Sequence, residues 1–289
     1  MVAAWPGLLA GTRLGDRDMR HAHLSLVFAA MSAVGALAAA PAVQAGSSWD
    51  EIRPAVFGDR AIHRAGELVQ LTAPFRPKDQ SMVPVKVAAR FKDGRTIRAV
   101  TLIVDENPTP VAAVFDIGAE RTELALAMLL RLNAATDVRV VVEASDGELY
   151  MAERHVRFAG GQGACAAPPV GDPEEIVASM GKMKLSHRQK LAAITEIRPH
   201  AKLTVRHPSH TGMVLDQLTL LYVQLRIVTE MEVRQGDERV FSMRGSITLS
   251  QDPSIDFDYR VNGAETMHVM VKDSDGASWQ QSFPIRQGS

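Results

Sequence analysis

From Leu68 onward the chain is written in short apolar runs: "LVQLTAP", "VPVKVAARF", "TIRAVTLIVDENP", "PVAAVFDIG", "DVRVVVEAS" and "LYMAERHVRF". Several alternate strictly, so that in Val85-Lys86-Val87 and Val138-Arg139-Val140 the cation points away from the valines, as on a half-buried strand. Pro, Gly, Asn and Asp separate the runs. Asp-Gly in "FKDGRTI" and "EASDGELY" predicts hairpin turns. Glu123–Asn133, "ELALAMLLRLN", suits a helix by composition but places Leu124, Leu126, Met128, Leu130 and Leu132 at period two. Its neighbours decide for a strand. Upstream, "SSWDEIRPAVFG" sets Trp49, Ile52 and Val56 near helical spacing behind a serine cap and predicts a short helix.

After Phe158 the texture breaks. Residues 159–173, "AGGQGACAAPPVGDP", form a Gly/Ala/Pro linker with almost nothing to bury. Asp172 as N-cap, Pro173 at the first helical position and Glu174 and Glu175 in the first turn predict a helix that Gly181 breaks, within a helical connector over 174–198. Strand texture returns for residues 199–289. The pattern therefore predicts an all-β protein with two antiparallel sandwiches, residues 46–158 and 199–289. Two pairs of segments suggest internal duplication: "TLIVDENPTPVAAVFD" with "ITLSQDPSIDFD", and the hairpin "EASDGELYMAERHV" with "KDSDGASWQQSF".

Residues 1–45 read as an address. Arg13, Arg17 and Arg20 precede an Ala/Leu/Val run from Leu24 to Ala40, and small Val43 and Ala45 match a signal-peptidase site; Met19 is an alternative start with better proportions. The run is barely long enough for a membrane anchor, and its small-residue exit favours cleavage. A soluble, exported, periplasmic protein beginning near Gly46 is expected, with no membrane association after cleavage. Charge adds little: Lys+Arg is 32 and Asp+Glu 33, so nothing in the overall field calls for nucleic acid.

Export changes the meaning of Cys165, the only cysteine. It cannot bridge within the chain, so in an oxidising compartment it is intermolecular or a used thiol. "GGQGACAAPP" offers no bulky neighbour to carry it into a core, so an exposed thiol on a flexible arm is expected. A thiol enzyme would need a base, and His155 and His187 are the ones that the fold could bring near. His207 and His210 in "HPSH" have a spacing that can bind a metal, with His187 and His200 upstream. Pro208 keeps the pair off a helix and no acidic partner has a set spacing, so two surface histidines and no metal site are the plainer expectation. "DSDG" (273–276) and "ASDG" (144–147) lack the downstream glutamate of a calcium loop and read as turns. No G-x-S-x-G, Walker or dinucleotide glycine motif occurs, and no cofactor is implied.

A leader, a sandwich containing "LIVDENPTPVAAVF", a Gly-Gly arm with one cysteine, and a second sandwich containing "AKLTVRHPSHTGM" and "ITLSQDPSIDFDY" together resemble the SoxYZ sulfur carriers of periplasmic thiosulfate oxidation. More closely, the chain is similar to the fused SoxYZ-like carriers associated with quinoprotein dehydrogenases. The resemblance implies two immunoglobulin-like sandwiches packed on one another and a non-enzymatic carrier role. Cys165 would be the carrier thiol, on an arm containing Gly160, Gly161 and Gly163. It implies as partners periplasmic sulfur-oxidation enzymes, or quinoprotein dehydrogenase and cytochrome c components. In the two-chain carriers a Gly-Gly-Cys-Gly-Gly arm ends the chain, whereas here a whole domain follows it. The rival expectation is an accessory binding module of a quinoprotein alcohol dehydrogenase system with no thiol chemistry.

Overall fold

The computed structural model describes residues 48–118, 120–158, 160, 163–191 and 197–285, and the expected leader and Gly161 lie outside them. Residues from Gly46 to Ser289 form one compact unit. Helix α1 (Ser48–Phe57) opens it and lays Trp49, Ile52 and Phe57, with Val56 left exposed, against Ile103, Val141 and Leu149 on the outer face of a sheet. The strands follow as β1 (Ile62–Arg64), β2 (Val69–Thr72), β3 (Val83–Arg90), β4 (Ile97–Val104), β5 (Val111–Ile117), β6 (Glu123–Leu130), β7 (Thr136–Ala144) and β8 (Leu149–Val156). A short helix, α2 (Pro173–Ser179), leads to β9 (Met183–Leu191), β10 (Ile197–Val205), β11 (Val228–Gln235), β12 (Glu238–Gly245), β13 (Ser254–Asp258), β14 (Thr266–Asp273) and β15 (Ser278–Pro284). The fold is all-β with two sheets, as the alternation predicts. Strand β6 buries Leu124, Leu126, Met128 and Leu130, which settles that segment as a strand.

The two halves share both sheets. One has nine strands in the order β1-β8-β7-β4-β5-β12-β11-β14-β15, the other six in the order β2-β3-β6-β13-β10-β9. They are stitched edge to edge at two places: β5 pairs antiparallel with β12 (Phe115 opposite Met243), and β6 with β13 (Ala127 opposite Asp256). A single hydrophobic core runs through both, joining Leu102, Phe115 and Leu126 to Leu203, Phe241 and Phe257. Each half thus covers the edge strands that the other would leave unpaired. A buried ion pair bolts the same seam: the Arg121 guanidinium lies 2.7 Å from the Asp258 carboxylate and also donates to the Asp258 carbonyl, while Asp258 Oδ1 accepts from the Ala125 amide.

The order β2 to β8 and the order β9 to β15 place corresponding strands at mirrored positions in both sheets, so the two halves are topological repeats about a pseudo-two-fold axis. The hairpins quoted as a pair, β7–β8 and β14–β15, do correspond. The other quoted pair does not: "TLIVDENPTPVAAVFD" is β4–β5 in the nine-stranded sheet, whereas "SIDFD" is β13 in the six-stranded sheet and matches β6. Shared Asn/Asp-Pro turn chemistry produced that likeness. Two further expectations are corrected. "FKDG" carries the chain from the six-stranded to the nine-stranded sheet and is not a hairpin, since an Asp-Gly pair supplies positive φ at Gly94 (88°) to either kind of turn. The connector over 174–198 is helical only to Ser179; "MKLSHRQKL" is β9, antiparallel to β10, because the free edge of β10 outweighs helical propensity there. Gly181 does end the helix: it has φ 78°, and a side chain there would collide with the Trp279 ring.

Candidate functional site

The arm does not hang free. After β8 the Arg157 amide donates to the Phe75 carbonyl, Gly160 is exposed at φ 94°, and residues Ala164–Ala166 fold into a single 3-10 turn closed by the Ala166 amide on the Gly163 carbonyl. Cys165, in that turn, has no exposed surface. The expectation of an exposed thiol is therefore overturned. Its own neighbours are too small to bury it, so groups remote in sequence do so.

Those groups come from three loops. Asn133, just beyond β6, accepts a 3.3 Å hydrogen bond from the Cys165 amide on Oδ1. Gly163 packs so closely on the same amide group that a Cβ would lie 2.0 Å from Asn133 Oδ1. This glycine serves close approach, not flexibility. Asn107 holds the loop: its Oδ1 accepts from the Asn133 amide at 2.9 Å, and its side-chain amide donates to the Arg131 carbonyl and to Thr248 Oγ1. From the second half, the Thr211 hydroxyl donates to the Cys165 carbonyl. Beyond the turn, Gln251 clasps the arm at a second point, accepting from the Val170 amide at 2.7 Å and donating to its carbonyl at 2.9 Å. Asp172 then caps α2 on the Glu174 and Glu175 amides.

Burial pushes the Cys165 thiol above its ordinary pKa, and the neighbouring Arg131 guanidinium pulls it only part of the way back. Arg131 is 4% exposed; burial, partly offset by its attraction to Cys165, lowers its own pKa, and it donates to the Ser209 carbonyl at 2.7 Å. The seated thiol is therefore protonated and shielded at neutral pH, a poor nucleophile. Reaction with it requires the turn to open. One neutral hydrogen bond contributes about 0.5–1.5 kcal/mol, so Thr211→Val should raise the alkylation rate of native Cys165 by iodoacetamide roughly two- to tenfold. An unchanged rate would show that Thr211 does not hold the turn shut.

The histidines fall differently from expectation. His155 pairs with Asp137 at 2.8 Å, and His187 hydrogen-bonds with Tyr259 and the Pro284 carbonyl, so neither is shown serving Cys165 as a base. His207 is not a surface residue, being 1% exposed, whereas His210 is half-buried; the buried His207 Nε2 and His210 Nδ1 atoms lack hydrogen-bond partners. They frame the loop that supplies Ser209 and Thr211. Among the described residues no three His, Cys, Asp or Glu side chains gather as metal ligands. The "DSDG" carboxylate of Asp273 serves its own turn, accepting from the Asp275 and Ala277 amides. Sequence reasoning passed over Arg131, Asn133, Asn107 and Thr211. The signal for the first was present, a cation set inside the apolar run "LALAMLLRLN".

Fold and site together define a duplicated, edge-joined β-sandwich that encloses one thiol at the junction of its halves. A family model described as "Sulfur oxidation protein SoxY" matches residues 53–165, and one described as "Sulphur oxidation protein SoxZ" matches residues 188–284. The chain belongs to the SoxYZ-like sulfur carriers, with the two subunit types fused in one polypeptide. The SoxY match ends on Cys165 itself. Among solved structures, the chain is similar to the sulfur carrier protein SoxY from Chlorobium limicola f thiosulfatophilum, at 28% identity over 39% of this chain and 92% of that one, with a TM-score of 0.34. A beta-glycosidase from Bacteroides vulgatus is matched at 8% identity over 75% of this chain and 24% of its own length, with a TM-score of 0.22. At these scores neither superposition bears on the site. A search of curated proteins gives no match.

Proposed function

We propose that Cys165 covalently carries a sulfur intermediate between partner enzymes of sulfur oxidation, in the periplasm, and that the protein itself turns over no substrate. The observation that carries this reading is the placement of the only cysteine: it ends the SoxY match and sits in a turn pinned by groups from both halves. The leader-like pattern of residues 1–45 supports export. The cycle has two states. Seated, the thiol is protonated and out of reach; released, residues Gly160–Pro169 loop out and present it to a partner that supplies the activation.

Anchorage sets the reach. Ten residues between two fixed ends extend to about half their contour, roughly 17 Å at about 3.3 Å per residue. The partner's reacting atom must therefore lie near its own surface, not at the bottom of a deep channel. The loop that follows Thr211, whose hydroxyl holds the Cys165 carbonyl, leaves Leu218, Leu220, Leu221 and Tyr222 exposed and offers such a partner an apolar surface.

Intact-mass analysis of protein taken from cells oxidising reduced sulfur should show sulfur or oxo-sulfur additions on Cys165, removable by a small thiol, and Cys165→Ser should abolish carriage. A bare thiol throughout active sulfur oxidation, with Cys165→Ser fully functional, would refute the carrier. Co-purification with a quinoprotein dehydrogenase that survives Cys165→Ser would favour the accessory-module reading in its place.

A further inference from the structure

Three described arginines are buried to below a tenth of their surface: Arg121, Arg131 and Arg139. Two are neutralised in the ordinary way, Arg121 by Asp258 at 2.7 Å and Arg139 by Asp105 at 2.8 Å. Arg131 has no carboxylate partner among the described residues; its hydrogen bond goes to an uncharged carbonyl, that of Ser209. A buried cation without a counter-ion costs several kcal/mol, so a fold keeps one where an anion will come. The group within its electrostatic reach that can become anionic is Cys165. As a thiol, however, Cys165 is neutral in the slot, so the unloaded protein leaves Arg131 uncompensated.

We propose that the slot is an anion site for the loaded arm, in which Arg131 pairs with the terminal oxo-anion of the sulfur adduct on Cys165. The inference rests on the carrier reading. Its geometry is that of one buried, carboxylate-free guanidinium bracketed by the same two loops as the carrier thiol: Arg131 donates to Ser209, two residues from the Thr211 that holds the Cys165 carbonyl, and lies two residues from the Asn133 that holds the Cys165 amide. Between Ser209 and Thr211 stands His210, whose buried Nδ1 has no partner and can supply a further N–H. A side chain at Gly160 would meet nothing within 4 Å, so open space flanks the arm just upstream of the small-residue turn Ala164–Ala166, and the turn can shift toward it to admit the added atoms. A sulfonate keeps its charge at any physiological pH, unlike a thiol. Loading therefore converts an uncompensated cation into a paired one, and the slot holds the charged arm more tightly than the empty one.

The test uses the full chain loaded chemically with tetrathionate in urea and refolded. The Cys165 thiolate attacks a central sulfur of tetrathionate and the Sγ–S bond forms. The central S–S bond breaks and thiosulfate leaves with the electron pair. Cys165 is oxidised to a thiosulfonate anion, Sγ–S–SO3−, tetrathionate is reduced, and the thiol proton goes to solvent. Loaded wild-type protein should melt at a higher temperature than its free-thiol form. Dithiothreitol should release its adduct about ten- to a hundredfold more slowly than from Arg131→Met, the range expected for one charge-assisted pair. Arg131→Lys should fall between, and all three should release alike in urea. A loaded wild type that melts lower than the free thiol, or that releases its adduct as fast folded as unfolded, overturns the inference even if Arg131→Met does not fold. Neither result bears on whether cells load Cys165, so the carrier reading stands or falls on its own experiment.

Discussion

Phe241→Ala will lower stability by about 3–5 kcal/mol and will do so for the whole molecule at once. Phe241 is 1% exposed on β12, at the seam between the halves. Its ring meets Phe115 of the first half edge-on at 5.5 Å, and Phe257 of the opposite sheet at 5.1 Å. Truncation therefore removes the transfer energy of a fully buried ring and opens a cavity where two repeats and two sheets converge. Because the seam strands complete both sheets, neither half can relax around that cavity by itself. The measurement is urea denaturation of single-tryptophan versions keeping either Trp49, in the first half, or Trp279, in the second. Both probes should report one midpoint in the parent and the same lowered midpoint in Phe241→Ala. Separate midpoints would show that the halves unfold independently and that the shared core is not cooperative.

That cooperativity is the part of the fold that local pattern could not reveal. Alternation in "VPVKVAAR" and "ELALAMLL" identifies strands, because period two reports which face is buried. It does not report which edge lies next to which, and the pairings β5–β12 and β6–β13 join residues more than a hundred positions apart. Strand β9 was missed for the same reason, since its register with β10 is a long-range choice. At the site the division is similar. Cys165 was legible as the chemistry-bearing residue because it is single. Its burial was not, because Asn107, Asn133 and Thr211 belong to three loops that only the assembled sandwich brings to one turn. The arm's composition spoke for flexibility, while its actual conformation is decided by hydrogen bonds to its backbone, which leave no trace in its own side chains. Arg131 and the "HPSH" histidines were visible as oddities, and what they surround became apparent only in three dimensions.

The second large effect is pH-dependent and originates beside that site. His207 Nδ1 accepts the Ser209 amide at 3.0 Å, which leaves the proton of the neutral ring on Nε2, 3.6 Å from the Asp273 carboxylate. Burial outweighs the attraction of Asp273 and depresses the His207 pKa from 6.5 to about 4. Burial of Asp273 tends to raise its pKa, but Arg226 and the backbone amides of Ala277 and Asp275 prevail and hold the carboxyl below its ordinary value, so it stays ionised where His207 titrates. The sign follows from which state takes the proton. Above about pH 6.5 His207 is neutral folded and unfolded, and contributes no slope. Between about pH 6.5 and 4 the unfolded chain binds a proton that the folded chain refuses, so stability falls as the pH falls. A depression of that size corresponds to roughly 3 kcal/mol over the window, at about 1.4 kcal/mol per pKa unit. Urea midpoints taken from pH 7 down to pH 4.5 should decline for the wild type, and His207→Gln should remove most of that decline while costing stability at pH 7. A decline of equal slope in His207→Gln would assign the acid sensitivity to other groups. Because Ser209 joins His207 to Arg131, and Thr211 on the same loop holds the Cys165 carbonyl, acid that loosens this loop should also unseat the thiol.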